Sequence, residues 1–297
     1  MRLTNKMGLP EAIVRAVSND DYTKGDADIS VTEMLMPAWM RQLRLKHWDD
    51  IEEDVSERVW SLQGSAMHVV LERASIQDDV LAETTLYMEA GGWKIKGQAD
   101  NVSLSKAELC DFKNTTVWKV NGGRVPIEWV QQTNVYRRML QVEKGLQINS
   151  IAVIAILRDW SKREARRRAD YPQAQAVRID IPLWSGEEAD RFIAERVRHH
   201  QDPNPPPCTE EEIWAKPAKY AVMKKGRQSA LRLFDLRFEA EALARNTPGG
   251  YVEERAGEAP RCQDYCSVSQ FCSKWAADPR NRSKETFSAG DLFDAQV

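Results

Sequence analysis

An eight-residue run near the middle of the chain, Ser150–Leu157, is almost entirely apolar and rich in β-branched side chains. A run of this kind is typical of a strand that is buried on both faces. Residues 176–183 alternate between polar and apolar side chains and are expected to pair with it. Earlier in the chain, a two-glycine turn leads into residues 93–97, and residues 107–113 alternate as well, which predicts two further strands.

These two earlier strands bring carboxylates with them. Asp100 closes the sequence Gly97-x-x-Asp, and Asp111 and Lys113 form Asp-x-Lys. If the strands are adjacent and antiparallel, Asp100 and Asp111 lie within reach of one ion. Oxygen ligands suit magnesium, and a lysine adds a fixed positive charge where negative charge develops. The pattern therefore indicates metal-dependent phosphodiester cleavage. The alternative makes Asp100 a turn residue and Asp111 and Lys113 a surface charge pair, because Asp-x-Lys alone is common.

Two predicted helices flank these strands. His68 follows Gly64 by four residues in an apolar helical stretch, and a single histidine on such a face is more often a core residue than a metal ligand. Downstream, Gln132 and Tyr136 are four residues apart in a predicted helix over residues 127–143, so they share a face. An ordinary amphipathic helix also explains that second pair.

Taken in order, Gly-x-x-x-His, Gly-x-x-Asp, Asp-x-Lys and Gln-x-x-x-Tyr resemble the RecB-like branch of the PD-(D/E)xK nucleases. The likeness runs from about residue 29 to residue 275 and is strongest to phage-type stand-alone exonucleases related to the CRISPR-associated RecB-like exonucleases. It implies an α/β fold with a restriction-endonuclease-like core, a mixed central sheet flanked by helices. It also implies a DNA exonuclease that depends on Mg²⁺ or Mn²⁺.

The resemblance assigns roles to individual residues. Lys113 becomes the catalytic lysine, with Gln132 and Tyr136 supporting it near the scissile strand. Glu83 and Glu89 are candidates for an assisting carboxylate, although neither lies in a motif. The implied metal ligands are His68, Asp100, Asp111 and the main-chain carbonyl of Phe112.

Five cysteines form a separate pattern. Cys110 lies in a predicted strand, where a small buried thiol is expected. Cys262, Cys266 and Cys272 form Cys-x3-Cys-x5-Cys, and Cys208 remains as a fourth candidate ligand. Four cysteines bind zinc or an iron–sulfur cluster. Disulfides are the alternative, but no apolar leader marks the start of the sequence, so we expect a cytoplasmic, reducing location that disfavours them.

The resemblance also bears on these cysteines. Many RecB-like nucleases carry an iron–sulfur cluster bound by a C-terminal cysteine triplet and one distant cysteine. It therefore implies a [4Fe–4S] cluster at Cys208, Cys262, Cys266 and Cys272, with Zn²⁺ as the alternative. In those relatives the distant cysteine precedes the histidine motif, whereas here no cysteine precedes Cys110. The spacing between Cys262 and Cys266 is also one residue wider than the common one.

Charge is distributed unevenly along the chain. The net charge is −3, so the whole protein is not a general basic nucleic-acid binder. Residues 214–234, however, contain six lysines and arginines and no acid. Lys224, Lys225 and Arg227 lie on a predicted turn there, where they are expected to contact DNA phosphates without reading sequence. A solvated face is the alternative interpretation.

We expect four sections. Residues 1–28 form a polar N-terminal lead-in, residues 29–201 the core that the resemblance implies is a nuclease, residues 202–279 a C-terminal section with the basic segment and the cysteines, and residues 280–297 a mobile tail. Within the core, residues 117–125 are expected to form an exposed loop. No run approaches the roughly 20 apolar residues of a membrane span, so no membrane partner is expected.

The resemblance therefore implies a metal-dependent exonuclease that hydrolyses DNA in phage or bacterial recombination, repair or DNA processing. Its expected partners are DNA, either single-stranded or with free ends, and recombination proteins. The first alternative is a DNA-binding recombination accessory protein with a weak or vestigial nuclease site. A second is a zinc-stapled scaffold, in which Asp100 and Asp111 are incidental.

Overall fold

The structure is a computed structural model that describes residues 1–18, 24–75, 79–123 and 125–284. The chain divides into two compact units. Unit 1 comprises Met1–Arg41 and Glu52–Pro205, and unit 2 comprises Gln42–Ile51 together with the residues from Pro206 onwards. Residues 285–297, most of the predicted tail, lie outside the described part of the chain.

Strands and helices alternate through most of the described chain. The strands are β1 Arg2–Thr4, β2 Ile29–Ser30, β3 Glu52–Asp54, β4 Val80–Ala90, β5 Trp93–Ser103, β6 Glu108–Thr115, β7 Ser150–Leu157, β8 Ala176–Asp180, β9 Lys219–Lys224, β10 Arg232–Phe234 and β11 Gly250–Arg255. The helices are α1 Glu11–Ser18, α2 Val31–Leu35, α3 Ala38–Lys46, α4 Val59–Ala74, α5 Val117–Val120, α6 Ile127–Lys144, α7 Lys162–Arg167, α8 Gly186–Gln201, α9 Arg237–Arg245 and α10 Ser273–Ala276.

Unit 1 is built on a six-stranded sheet in the order β2-β5-β6-β7-β8, with β4 pairing to β5. The β4–β5, β5–β6 and β7–β8 pairs are antiparallel, whereas β2–β5 and β6–β7 are parallel. Helix α6 packs across β4 to β7, and α4 packs against β5 and β6. This arrangement confirms the predicted α/β class with a mixed central sheet flanked by helices.

The apolar run over residues 150–157 forms β7, between β6 and β8, as its composition predicts. Ile151, Ala152, Val153, Ala155 and Leu157 are buried, so both faces of the strand are covered. Its antiparallel partner β8 begins at Ala176 as predicted and ends earlier than the polarity pattern suggests, at Asp180.

The prediction of an exposed loop over residues 117–125 is wrong at its start. Val117–Val120 forms the short helix α5, and a single 3-10 turn over Asn121–Gly123 follows it. Val117 and Val120 are both buried, because this turn lies against the main core of unit 1. The glycine pair that suggested a loop ends the helical segment instead, with Gly122 in the left-handed region at φ 75°.

Unit 2 contains a three-stranded antiparallel sheet in the order β10-β9-β11. Helix α9 packs on it through a small core of Val222, Ala240 and Ala244. A second small core has Ile213, Ala259 and Trp275 at its centre. None of the helices in the described ranges combines the length and apolar composition that a membrane span needs.

Candidate functional site

Strands β5 and β6 place the two motif aspartates side by side. Asn101 pairs with Cys110 and Val102 with Leu109, so the antiparallel register puts Asp100 directly opposite Asp111. The two strands are therefore adjacent and antiparallel, as predicted. The Phe112 amide donates a hydrogen bond of 2.7 Å to Asp100 Oδ2, which ties the first carboxylate to the second strand.

The burial pattern of β5 changes at the site. Ile95, Gly97 and Ala99 are buried in regular alternation, but the next buried residues are Asp100 and Val102. The register to β4 is the same on either side of this position. Asp100 is buried because helix α4, which carries His68, covers this part of β5.

Glu83 lies at the same level on the neighbouring strand. Ala82 pairs with Asn101 and Thr84 with Ala99, so Glu83 lies across β4–β5 from Asp100. Its backbone φ is 44°, a left-handed conformation that is strained for a residue with a side chain. Because the surrounding ladders hold this conformation, the Glu83 carboxylate is fixed next to that of Asp100.

His68 completes the group from helix α4. Its Nδ1 lies 3.0 Å from Glu83 Oε1 and 3.8 Å from Asp100 Oδ2. The ligand atoms of His68, Glu83 and Asp100 all lie within 4.8 Å of one another. Gln98 donates a 2.7 Å hydrogen bond to the other oxygen of Glu83 and so orients its carboxylate. The histidine is thus a member of a polar cluster and not a core residue.

The sequence alone gives no sign that Glu83 is a principal member of this site. Strand β4 contains two glutamates, Glu83 and Glu89, and neither has a motif around it. Only the position of Glu83 opposite Asp100 separates the two, because Glu89 pairs with the exposed end of the hairpin at Lys94. No spacing in the sequence carries that information.

Asp111 is the most buried member of the site, with 1% of its surface exposed. Lys113 Nζ lies 2.8 Å from its Oδ2 and forms an ion pair with it. Oδ1 is also buried and has no hydrogen-bond partner among the described residues. A buried carboxylate in this state is costly unless a positive charge or a donor satisfies its lone pairs.

The charges of the cluster shift its protonation equilibria. Burial, followed by the charge of Asp111, raises the pKa of Asp100 to about 7, while Lys113, His68 and the Phe112 amide act in the opposite direction. The hydrogen bond to Glu83 raises the pKa of His68, although burial opposes it. Burial lowers the pKa of Lys113, but the charges of Asp111 and Asp100 outweigh it and leave a net increase.

The predicted supporting pair lies on α6. Gln132 Nε2 donates a 2.9 Å hydrogen bond to Tyr136 Oη. The Tyr136 ring packs on β5 at Gly97, where an added Cβ would lie 3.1 Å from Tyr136 Cε1 and 2.9 Å from Met139 Sδ. The glycine of Gly-x-x-Asp is therefore required by close packing between helix and strand. By contrast, an added Cβ at Gly64 would have no heavy atom within 4 Å.

The four C-terminal cysteines come together in unit 2, and none forms a disulfide. Cys208, Cys262 and Cys272 pack against the core of Ile213, Ala259 and Trp275. Each of the four thiols interacts electrostatically with the other three. Burial, followed by Glu212 and those thiols, raises the pKa of Cys208 to about 12.

The spacing of the sulfurs is wider than that of the carboxylate site. Among the described residues, the group of metal-binding atoms within 4.8 Å of one another is that of His68, Glu83 and Asp100, and no three of the cysteine sulfurs meet this distance. Cys110 belongs to unit 1, where burial and the nearby Glu108 raise its pKa to about 11. It is therefore separate from the cysteine cluster.

The predicted basic turn follows β9. Lys224 is the last residue of that strand, and Gly226 adopts φ 84° in the turn. Lys224, Lys225 and Arg227 are exposed, and none of them forms a salt bridge with another described residue. Arg227 Nε instead donates a hydrogen bond to Ser229 Oγ at 3.1 Å.

Comparison with known proteins adds little to this geometry. No family model matches the chain. No curated protein matches it either. A solved structure described as the crystal structure of SSO0001 is similar to it, with 16% sequence identity over 63% of this chain and 83% of that chain and a TM-score of 0.42. A similarity of this degree identifies neither a family nor a function.

Proposed function

We propose that the chain is a metal-dependent deoxyribonuclease of the RecB-like PD-(D/E)xK type, acting as an exonuclease. The observation that carries this proposal is a pair of buried carboxylates on adjacent strands, Asp100 and Asp111, with Asp111 Oδ1 unbonded and the Lys113 ammonium 2.8 Å from Asp111 Oδ2. A cation would satisfy those carboxylates, and a lysine held next to it is suited to a reaction in which negative charge develops.

The donor set fits Mg²⁺ or Mn²⁺. Glu83 and Asp100 would supply carboxylate oxygens, and His68 would supply an imidazole nitrogen. Asp111, the other predicted carboxylate ligand, lies outside this group of three, on the adjacent strand β6. Carboxylates suit magnesium and manganese, whereas a site of thiolates or of several imidazoles would favour zinc or copper. When bound, such an ion polarises a phosphate and lowers the pKa of a coordinated water.

The side chains themselves have separable tasks. Lys113 is held protonated by Asp111 and Asp100, so it keeps a positive charge beside the carboxylates and stabilises negative charge on a phosphate oxygen. Asp100 must lose its proton before it binds a cation, because its pKa is about 7 in the metal-free site. Gln98 and the Phe112 amide hold the carboxylates of Glu83 and Asp100 in place.

The test is direct cleavage of end-labelled DNA by the purified full-length protein. We expect mononucleotides or short products with Mg²⁺ or Mn²⁺, and no cleavage after chelation with EDTA. Single strands, duplexes and closed circles would be compared, since an exonuclease leaves closed circles intact. Binding of DNA without cleavage under any of these conditions would instead support an accessory protein with a vestigial site.

We further propose that Cys208, Cys262, Cys266 and Cys272 bind a [4Fe–4S] cluster. Burial and the neighbouring thiols raise the pKa values of Cys208 and Cys262, and a multivalent cation would stabilise these groups as thiolates. Four sulfurs at about 2.3 Å from one zinc ion lie about 3.8 Å apart, which is closer than these sulfurs approach as a group. The wider spacing favours a cluster over a single zinc ion.

Anaerobic purification tests this assignment. We expect close to four iron atoms and four sulfides per chain by chemical analysis, which is the composition of a [4Fe–4S] cluster. A visible absorption band that bleaches on reduction would accompany them. One zinc per chain without iron would establish the alternative.

A further inference from the structure

Trp118 of helix α5 is exposed to solvent. Val117 and Val120 of this four-residue helix are buried, whereas Trp118 between them is 68% exposed. The helix is fixed to β7's C-terminal end, because the Val117 amide donates a 2.7 Å hydrogen bond to Asp159 Oδ1. The exposed position of Trp118 is therefore set by an anchored element.

A second exposed tryptophan lies on α4 with a cation on its face. Trp60 is 56% exposed, and the Arg158 guanidinium carbon lies 4.2 Å from its ring centroid. Arg158 is itself exposed and forms no salt bridge with any described residue. A guanidinium on an aromatic ring is a stable arrangement that leaves its N–H groups free to bind an anion.

Both features lie at the end of the strand that carries Asp111 and Lys113. The Arg158 amide donates a 2.9 Å hydrogen bond to Thr115 O, the last residue of β6. Thr115 is two residues beyond Lys113, a distance of about 7 Å along a strand. Trp118 follows three residues after Thr115. The two rings and the arginine thus lie near the end of β6, the end that follows Lys113.

Single exposed tryptophans are common on protein surfaces and need no explanation. Two anchored rings and an unpaired guanidinium at the end of one catalytic strand form a more specific combination. Unpaired bases stack on aromatic side chains irrespective of sequence, and arginine adds a cation–π contact and a charge for phosphate. The bases of a duplex are already stacked on one another and cannot use such rings.

We propose that Trp60, Arg158 and Trp118 form a base-stacking platform that receives single-stranded DNA next to the carboxylate site. This inference rests on the proposed nuclease function and deepens it, because it makes single-stranded DNA, or a single-stranded end, the substrate class. The platform binds bases without sequence preference, and Arg158 contacts the phosphate between them.

The experiment measures binding separately from cleavage. The full-length protein is titrated in EDTA against a fluorescently labelled oligothymidylate and against a duplex of the same length, and fluorescence anisotropy gives each Kd. Wild-type protein is expected to bind the single strand more tightly. Trp60→Leu and Trp118→Leu should each weaken single-strand binding by about 5- to 150-fold, the range for loss of one stacked base.

Trp48→Leu provides a matched control. Trp48 is also exposed and also has an arginine above its ring, with Arg44 Cζ 5.5 Å from the centroid, but it belongs to unit 2. This variant should keep the wild-type Kd. Trp118→Phe should recover most of the affinity lost in Trp118→Leu, since it restores an aromatic face, and it guards against a folding defect.

The outcomes separate the two proposals. Unchanged single-strand affinity in both Trp60→Leu and Trp118→Leu, or an equal loss in Trp48→Leu, overturns the platform even if the wild type cleaves DNA. Tighter binding of the duplex by the wild-type protein also overturns it. If the platform variants lose single-strand binding but the wild type cleaves no DNA under any metal condition, the platform proposal stands and the nuclease proposal is wrong.

Discussion

The carboxylate site of unit 1 and the cysteine cluster of unit 2 rest on different kinds of support. Asp100 and Asp111 lie on inner strands of a six-stranded sheet, flanked by fully buried residues such as Leu109 and Val153. Cys262 lies in the short turn Arg261–Tyr265, and Cys266 and Cys272 directly follow that turn and the turn Ser269–Phe271. The core beside them contains Ile213, Ala259 and Trp275 as buried residues.

This difference predicts how far the folding of each unit depends on its metal. A sheet with an extensive core folds without an ion. Loss of the ion from the carboxylate site should therefore abolish catalysis and leave the fold of unit 1 intact. A region with so small a core has little apolar burial to hold it, and metal binding then contributes directly to folding. The same operation, removal of a metal, should therefore have opposite consequences in the two units.

The largest expected effect is on catalysis. Asp111→Asn removes a charged ligand while keeping its size, so the rate of DNA cleavage should fall at least about 10³-fold, which corresponds to roughly 4 kcal/mol of barrier. The near-ultraviolet circular dichroism of the protein should remain. End-labelled DNA and single-turnover kinetics give the rate.

Glu108→Gln is the control for that change. Glu108 begins the same strand but pairs with Arg178 at 2.7 Å, away from the cluster. Cleavage near the wild-type rate is expected for this variant. Wild-type turnover by Asp111→Asn would remove Asp111 from the site, and loss of folding by it would contradict the contrast between the two units.

Next comes the folding of unit 2. Cys262→Ser, Cys266→Ser or Cys272→Ser should reduce metal content and lower the melting transition of that unit by about 10 °C or more, because a loss of a few kcal/mol has this effect in a domain of about 100 residues. Metal analysis and calorimetry on the same preparations test the link.

Cys110→Ser is the matched variant for the cysteines, since Cys110 is also half-buried but lies in unit 1. It should retain full metal content. Cys208→Ser is the decisive member of the set, because the sequence alone left the fourth ligand open. Full iron or zinc in Cys208→Ser, with loss in Cys110→Ser, would reverse the assignment of the fourth ligand.

A smaller effect is expected at the basic turn of unit 2. Replacing Lys224, Lys225 and Arg227 with glutamine should weaken single-strand binding and reduce the slope of log affinity against log salt by about 2, since each lost phosphate contact contributes about 0.7. A triple variant at Lys216, Lys219 and Arg237, whose charges pair with acids, should change the slope less. Equal slopes in all three proteins would make the turn a solvated face.

The smallest effect concerns the acid sensitivity of unit 1. Burial lowers the pKa of His200 from 6.5 to about 4, and its buried Nδ1 has no partner while Nε2 lies 2.9 Å from Met34 O. Since the unfolded chain binds this proton more readily, stability is complete above pH 6.5 and declines as the pH falls toward 4. Allowing for partial exposure, the decline is about 1 kcal/mol.

Urea unfolding in EDTA at pH 7 and pH 5 measures this contribution. His200→Gln should show a smaller loss between the two pH values than the wild type. His199→Gln, a change at the adjacent residue of α8, should lose as much stability as the wild type does. An identical decline in His200→Gln would place the acid sensitivity elsewhere.

How far the sequence led can be judged from particular elements. The apolar run of β7 and the alternation of β6 and β8 predicted those strands because burial leaves a local pattern, and the two-glycine turn predicted the start of β5. By contrast, the prediction of an exposed loop at residues 117–125 failed. It relied on two glycines and gave too little weight to the apolar spacing of Val117 and Val120. Those valines are buried by contacts with distant residues, and a short window of sequence does not contain them.

The site shows the same division. Asp100, Asp111 and Lys113 were found because their spacing is local. The role of Glu83 depends on its left-handed backbone conformation in β4 and on its position across from Asp100 in β5, and neither leaves a motif. Likewise, spacing grouped Cys262, Cys266 and Cys272, but only the folded chain brings Cys208 to them.

Gly97 has a mechanical consequence for the whole centre. Because Gly97 has no Cβ, helix α6 packs closely on β5 at this position. A methyl group there would need Met139 and Tyr136 to retreat by a few tenths of an ångström. Since Gln132 donates a hydrogen bond to Tyr136 Oη, a displaced Tyr136 ring would also displace that pair. The position of the Gln132–Tyr136 pair thus depends on a residue that has no side chain.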